Sequence, residues 1–165
     1  MRILVISDSH RQTKPIAKVL EKHGNYMDKV IHLGDNAPQD MSGIKTMYPN
    51  LDVVMVAGNC DYATDEAPSE MLLELNTPAP VKILLLHGHQ KDIKSGYNRL
   101  MYYALEMKAD ACLFGHAHIP TVFTHESVFF MCPGSVSLPR GGSRASYGII
   151  KIEANGSISG EIFNL

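Results

Sequence analysis

Arg2-Ile3-Leu4-Val5-Ile6-Ser7-Asp8-Ser9-His10 decides how the rest of the chain is read. Four aliphatic residues in a row, with no polar alternation, suit a strand buried on both faces, and strands of that kind belong to largely parallel sheets covered by helices. The run stops abruptly at Asp8 and His10, a carboxylate and an imidazole two residues apart. A buried strand thus ends in groups of the type that ligate metal ions.

The same pattern recurs downstream. Thr13 can cap a helix with Pro15 in its first turn, Ile16, Val19 and Leu20 on one apolar face and Gly24 as its stop. A second strand, about Lys29 to Leu33, runs into Gly34-Asp35-Asn36, and a short helix is predicted between Asp40 and Tyr48. A third, Asp52 to Ala57, meets Gly58-Asn59-Cys60-Asp61. After a polar stretch, Met71 to Leu75 and Val81 to Leu86 can pair as a hairpin that ends at His87-Gly88-His89. Ser95 to Met107 carries Tyr97, Leu100, Met101, Ala104 and Leu105 at the spacing of a helix packed by one face on a sheet. Ala111 to Phe114 then leads into Gly115-His116-Ala117-His118, whose imidazoles would project to one side if the segment stayed extended. Four further strands, Thr121 to His125, Val128 to Met131, Ser146 to Glu153 and Ser157 to Phe163, read as antiparallel.

The bulk properties exclude several classes. A chain of 165 residues, 45% hydrophobic, fits one globular domain over residues 1–165. A net charge of −2 provides no general field for nucleic acid or an anionic membrane, so an anionic substrate has to be held locally. No apolar run approaches the roughly 18 residues of a membrane span and none resembles a signal peptide, so a cytoplasmic location is expected. Three cysteines, Cys60, Cys112 and Cys132, without C-x-x-C spacing argue against a disulfide framework or a zinc knuckle. Nothing in the sequence speaks against a homo-oligomer.

Five strand-to-loop junctions therefore present Asp8 and His10, Asp35, Asn59, His87, and His116 with His118. Sites of open α/β sheets form outside the carboxyl ends of the strands, so these groups are expected to converge. Imidazole nitrogen with carboxylate or amide oxygen suits manganese, zinc or iron(II). Seven ligands exceed the needs of one ion and point to two, roughly 3.5–4 Å apart, the arrangement that clamps attacking and leaving oxygens in phosphate displacement.

In this order the motifs resemble those of the calcineurin-like metallophosphoesterases: Asp8-Ser9-His10, Gly34-Asp35, Gly58-Asn59-Cys60-Asp61, His87 and Gly115-His116-Ala117-His118. The short length, His87-Gly88-His89 and Pro133-Gly134-Ser135 are similar to the small branch typified by YfcE-like phosphodiesterases. The resemblance implies an α/β fold, a four-layer α/β/β/α sandwich of two mixed sheets flanked by helices, acting on a small phosphodiester through a hydroxide shared by two divalent ions. Manganese is the first choice, with zinc, iron(II) or nickel as alternatives. It places Asp8, His10 and His118 on the first ion, Asn59, His87 and His116 on the second, and Asp35 between them. Asn59 and His89 are its candidates for substrate contact, and Asn59, Cys60, Asp61 and His89 for catalysis. Cys60 departs from the wider family, which commonly has a proton-donating histidine there, and a thiol beside dications tends toward thiolate. Either good leaving groups, or protonation by water or His89, follow, or turnover is weak and regulatory binding matters more; the first reading is preferred.

Each of these residues also has a plain structural reading. Asp8, Asp35 and Asn59 are turn formers, Asp61 can orient a neighbour, and His23, His32 and His125 lack motif context. Cys112 and Cys132 read as core, and Arg140-Gly141-Gly142-Ser143-Arg144 reads as a basic connection beside the site. The rival function is a protein-interaction scaffold like the retromer subunit of the same branch, which is free to lose ligands; this chain keeps all seven. A metallo-β-lactamase reading fails, because Ile119 and Pro120 follow the H-x-H.

Overall fold

A computed structural model describes residues Met1 to Leu165. In chain order the elements are β1 (Arg2–Ile6), α1 (Thr13–His23), β2 (Lys29–His32), α2 (Ala37–Met47), β3 (Val53–Met55), β4 (Glu70–Leu75), β5 (Val81–Leu86), α3 (Asn98–Glu106), β6 (Ala111–Phe114), β7 (Thr121–His125), β8 (Val128–Cys132), β9 (Ser146–Ile152) and β10 (Ile158–Asn164). No helix is long and apolar enough to cross a membrane.

The strands form two five-stranded mixed sheets, ordered β10-β9-β1-β2-β3 and β4-β5-β6-β8-β7. In the first, β1, β2 and β3 are parallel, whereas β9 runs antiparallel to both β1 and β10. In the second, β5, β6 and β8 are parallel, with β4 and β7 as antiparallel edges. The two late hairpins form as expected but go to different sheets.

The continuous apolar strands have two faces to bury, and three cores result. Ile3 and Val5 face Leu85, Leu113 and Met131 between the sheets. Leu4 and Ile6, on the opposite face of β1, pack with Ile16, Val19 and Leu20 of α1 and Met41 and Ile44 of α2. On the far side, Leu84, Cys112, Phe114 and Phe130 receive Leu100 and Ala104 of α3. Helix, sheet, sheet, helix is the expected four-layer sandwich.

Several boundaries differ from the sequence expectation. Thr13 lies inside α1; Gln12 is the N-cap and no side chain caps the helix. Gly24 ends α1 in a right-handed conformation that continues into a short 3₁₀ turn. Helix α2 starts at Ala37, because Asn36 takes a left-handed conformation and Pro38 suits the first turn. Helix α3 starts later than Ser95, whose amide and hydroxyl are engaged in a turn with Asp92.

Candidate metal centre

The loops leaving β1, β2, β3, β5 and β6 meet at one rim, where the parallel strands of both sheets end. Asp8, Asp35, His87 and His118 are buried there, and His10 and His116 are half-buried. Asp8, His10, Asp35, His116 and His118 all have positive φ, between 56° and 64° for all but His10, which lies at 46°. The Gly115–His118 loop is therefore not extended, and alternation does not explain where its imidazoles go. His118 Nε2 lies 3.3 Å from His10 Nε2 and 3.1 Å from Asp8 Oδ1, whereas His116 Nδ1 lies 3.2 Å from His87 Nε2. Asp35 stands between the two groups, with Oδ2 3.5 Å from His10 Nε2 and Oδ1 3.3 Å from His87 Nε2. The ligand atoms of Asp8, His10, Asp35 and His118 lie within 4.8 Å of one another.

Two backbone carbonyls fix the state of the rings. His87 Nδ1 donates to the Leu33 carbonyl at 2.7 Å, and His118 Nδ1 donates to that of Leu138 at 2.5 Å. A carbonyl only accepts, so in the neutral rings Nε2 carries no hydrogen. These bare nitrogens face carboxylate oxygens and other imidazoles, and buried Asp8 Oδ1 receives no hydrogen bond. Lone pairs confront lone pairs, an arrangement that a proton or a cation relieves. Burial alone would lower the pKa of His87 and His118, yet Asp35 and Asp8 beside His87, and Asp8 beside His118, raise both. Burial likewise works to raise Asp8 and Asp35, but His118 and His87 hold Asp8 low, and His87 above all holds Asp35 well below the carboxylate range. His116, desolvated and near His87, is pushed down to about 4. The centre favours positive charge at its middle, and its nitrogen and oxygen donors fit a divalent metal.

The remaining expected residues lie at the edge. Asn59 is exposed and its amide donates to Cys60 Sγ at 3.4 Å rather than bonding any of the other six. Burial, then Asp35, raises the Cys60 pKa, so the protein's own groups favour the thiol over the expected thiolate. Asp61 uses both oxygens on backbone amides, accepting from Asn36 at 2.8 Å and Gly58 at 2.9 Å. It clamps the Asp35 and Asn59 loops together. The His89 ring lies 5.6 Å from that of His87 and 6.1 Å from that of His116, with its buried Nδ1 unpaired. Arg140 and Arg144 are exposed, and the Arg140 amide donates to the His118 carbonyl at 3.2 Å.

Sequence reasoning left His32 to surface or core packing. It is fully buried, accepts from the Gly34 amide through Nδ1 and so donates through Nε2 to Ser9 Oγ at 2.8 Å, beneath the Asp8-Ser9-His10 turn. Burial pushes it down to about 4, which keeps this neutral tautomer. A histidine directly after Val30 and Ile31 in β2 was the available signal.

Imidazoles and carboxylates gathered at the strand ends of a two-sheet sandwich fit the metallophosphoesterase class. The calcineurin-like phosphoesterase superfamily domain matches residues 1–155, and the chain belongs to that superfamily. YsnB of Bacillus subtilis strain 168, named a probable metallophosphoesterase, is 36% identical over 154 residues, 93% of this chain and 85% of that protein. The phosphodiesterase YfcE of Escherichia coli K12 is 33% identical over 102 residues, 59% of this chain and 52% of its own length. Vps29 of Entamoeba histolytica shares the fold with a TM-score of 0.76 at 20% identity, covering 100% of this chain and 99% of that one. The family and the sandwich expected from the motifs are both borne out.

Proposed function

We propose that residues 1–165 form one phosphodiesterase domain that hydrolyses a small phosphodiester with the help of two divalent ions, manganese first among them, in the cytoplasm. One observation carries the reading: the His87 and His118 rings, each engaging a backbone carbonyl through Nδ1, turn Nε2 toward Asp35 and Asp8 respectively. Asp8, His10 and His118 would hold one ion, His87, His116 and Asn59 the other, and Asp35 both, because its two oxygens already face different halves. Such ions supply Lewis acidity toward water and the phosphoryl oxygens. The chain's own part is to fix these donors before substrate arrives. The Leu33 and Leu138 carbonyls lock the rings, Asp61 locks the Asp35 loop to the Asn59 loop, and the half-buried His116 and His89 border the open side where a phosphoryl group enters. Cys60 offers no histidine-like proton donor, so esters with good leaving groups suit the site.

The test is hydrolysis of a bis-aryl chromogenic phosphate with added manganese, expected to vanish with chelator and in His116→Ala. Folded protein that turns over nothing with any divalent ion refutes the reading and favours a scaffold.

A further inference from the structure

Beyond the expected ligands, one loop reaches the centre from behind. After β8, Pro133-Gly134-Ser135 turns the chain with Gly134 at φ +78°, where an added Cβ would lie 2.3 Å from Ser146 Oγ. The next residues meet the end of β1. The Val136 amide donates to the Ser7 carbonyl at 3.2 Å. Ser135, fully buried, donates to the Asp8 carbonyl at 2.7 Å and accepts from the amides of Ser137 and Leu138. Ser137 shares its single hydroxyl proton between the carbonyls of Asp8 and Ser9, each at 2.9 Å. The Leu138 carbonyl then takes the His118 Nδ1 proton.

We propose that Ser135–Leu138 is the positioning element of the Asp8, His10 and His118 half of the centre, with the Ser137 hydroxyl as its adjustable contact; the inference rests on the dinuclear reading above. The reasoning is geometric. Asp8 sits in a left-handed conformation that an L-residue rarely adopts, so its carboxylate reaches the centre only while the peptide that follows is held in place. The Asp8 carbonyl accepts from both Ser135 and Ser137, and the Ser9 carbonyl, which precedes His10, accepts from Ser137 as well as from the Gln12 amide. The same loop sets the ring orientation of His118. No residue of this loop bonds His87 or His116 directly: His87 Nδ1 donates to the Leu33 carbonyl and the His116 amide donates to Asp8 Oδ2, so the loop reaches that half only through Asp8. Ser137 touches no reacting atom; its effect passes through Asp8 and His10.

Cobalt(II) uptake by the metal-free protein, followed by visible absorption against a competing chelator, separates the two positions, with His118→Ala and His116→Ala identifying them. Ser135→Ala would strip a buried, triply bonded hydroxyl and unsettle the fold, so Ser137→Ala is the test variant and Ser137→Thr the rescue. Ser137→Ala is expected to weaken the phase lost in His118→Ala by roughly 10- to 100-fold, the usual effect of removing a group that orients metal ligands. The other phase, linked to the loop only through the His116 amide on Asp8 Oδ2, weakens less than the first, and Ser137→Thr restores the first. Equal weakening of both phases, or no weakening in Ser137→Ala, overturns the proposal while leaving the dinuclear reading intact. Absence of two phases in the wild-type protein rejects that reading and the positioning role together.

Discussion

Removing the Asp61 carboxylate tests whether the rim is held by backbone clamps. Its oxygens accept from Asn36 and Gly58, whose amides lie in buried segments of two separate loops. Hydrogen bonds to charged groups are each worth about 1.5–3 kcal/mol net. Asp61 is half-exposed, so water can replace part of the interaction and the lower end applies to each bond. Two bonds then give about 3 kcal/mol for Asp61→Ala, which lowers Tm by about 6–12 °C in a domain of this size. Asp61→Asn keeps one acceptor but sets an amide NH2 against a backbone N–H, so it should be no better than halfway between the two. Thermal melts of metal-free wild type and both variants, followed by far-UV circular dichroism, measure the series, with Asp65→Ala as an exposed control. A Tm for Asp61→Ala within about 2 °C of wild type would show that the two amides are satisfied equally well by solvent, and the clamp would be refuted.

Thiol accessibility should sort the cysteines cleanly. Cys112 and Cys132 are fully buried, burial driving the first far above its ordinary value and the second up to about 12, whereas Cys60 is exposed. A disulfide reagent such as DTNB is expected to titrate one thiol in the native protein and three after denaturation; a second native thiol would contradict this packing. At Gly115 an added Cβ would lie 2.1 Å from Ser7 Oγ and 3.2 Å from Asp8 Oδ2. Gly115→Ala should therefore destabilise by about 1–3 kcal/mol through overpacking and also impair cobalt(II) uptake, and a variant with wild-type melting and wild-type uptake would show that the loop yields freely.

Much of this centre was legible because its candidate ligands sit where apolar runs stop. Ile3 to Ile6, Ile83 to Leu86 and Ala111 to Phe114 are continuous since both faces of each strand are covered, and that continuity makes the junction residues conspicuous. What stayed hidden is conformational. Alternation assumes extended backbone, and His116 and His118 are left-handed, so the histidines separate into different halves for a reason no periodicity contains. Pro133-Gly134-Ser135 was visible as a turn that could approach the site, but the hydrogen bonds of Ser135 and Ser137 were hidden, because a serine hydroxyl after a turn is unremarkable until the turn is seen to abut a residue 127 positions away. Thr13 misled because a capping residue type is necessary for a side-chain cap but does not ensure one; the helix begins one residue too early for its hydroxyl to serve.

The left-handed residues also bear on how the site is sustained. Five such positions, at about 1–2 kcal/mol each for an L-residue, would cost on the order of 5–10 kcal/mol, comparable with the whole stability of an ordinary domain. The loops persist because neighbours fix them across strands: the Asp8 amide bonds the Gly34 carbonyl, that of His10 the Asp35 carbonyl, and that of Gly115 the His87 carbonyl. Those bonds join loops whose strands are spaced by the apolar layers beneath, and His87 donates from the second sheet to Leu33 in the first. The seven proposed ligands divide the same way, Asp8, His10, Asp35 and Asn59 coming from the sheet of β1 to β3 and His87, His116 and His118 from that of β5 and β6. Neither sheet holds enough imidazoles and carboxylates to complete either half, so the centre forms only when the inter-sheet core of Ile3, Val5, Leu85, Leu113 and Met131 has closed.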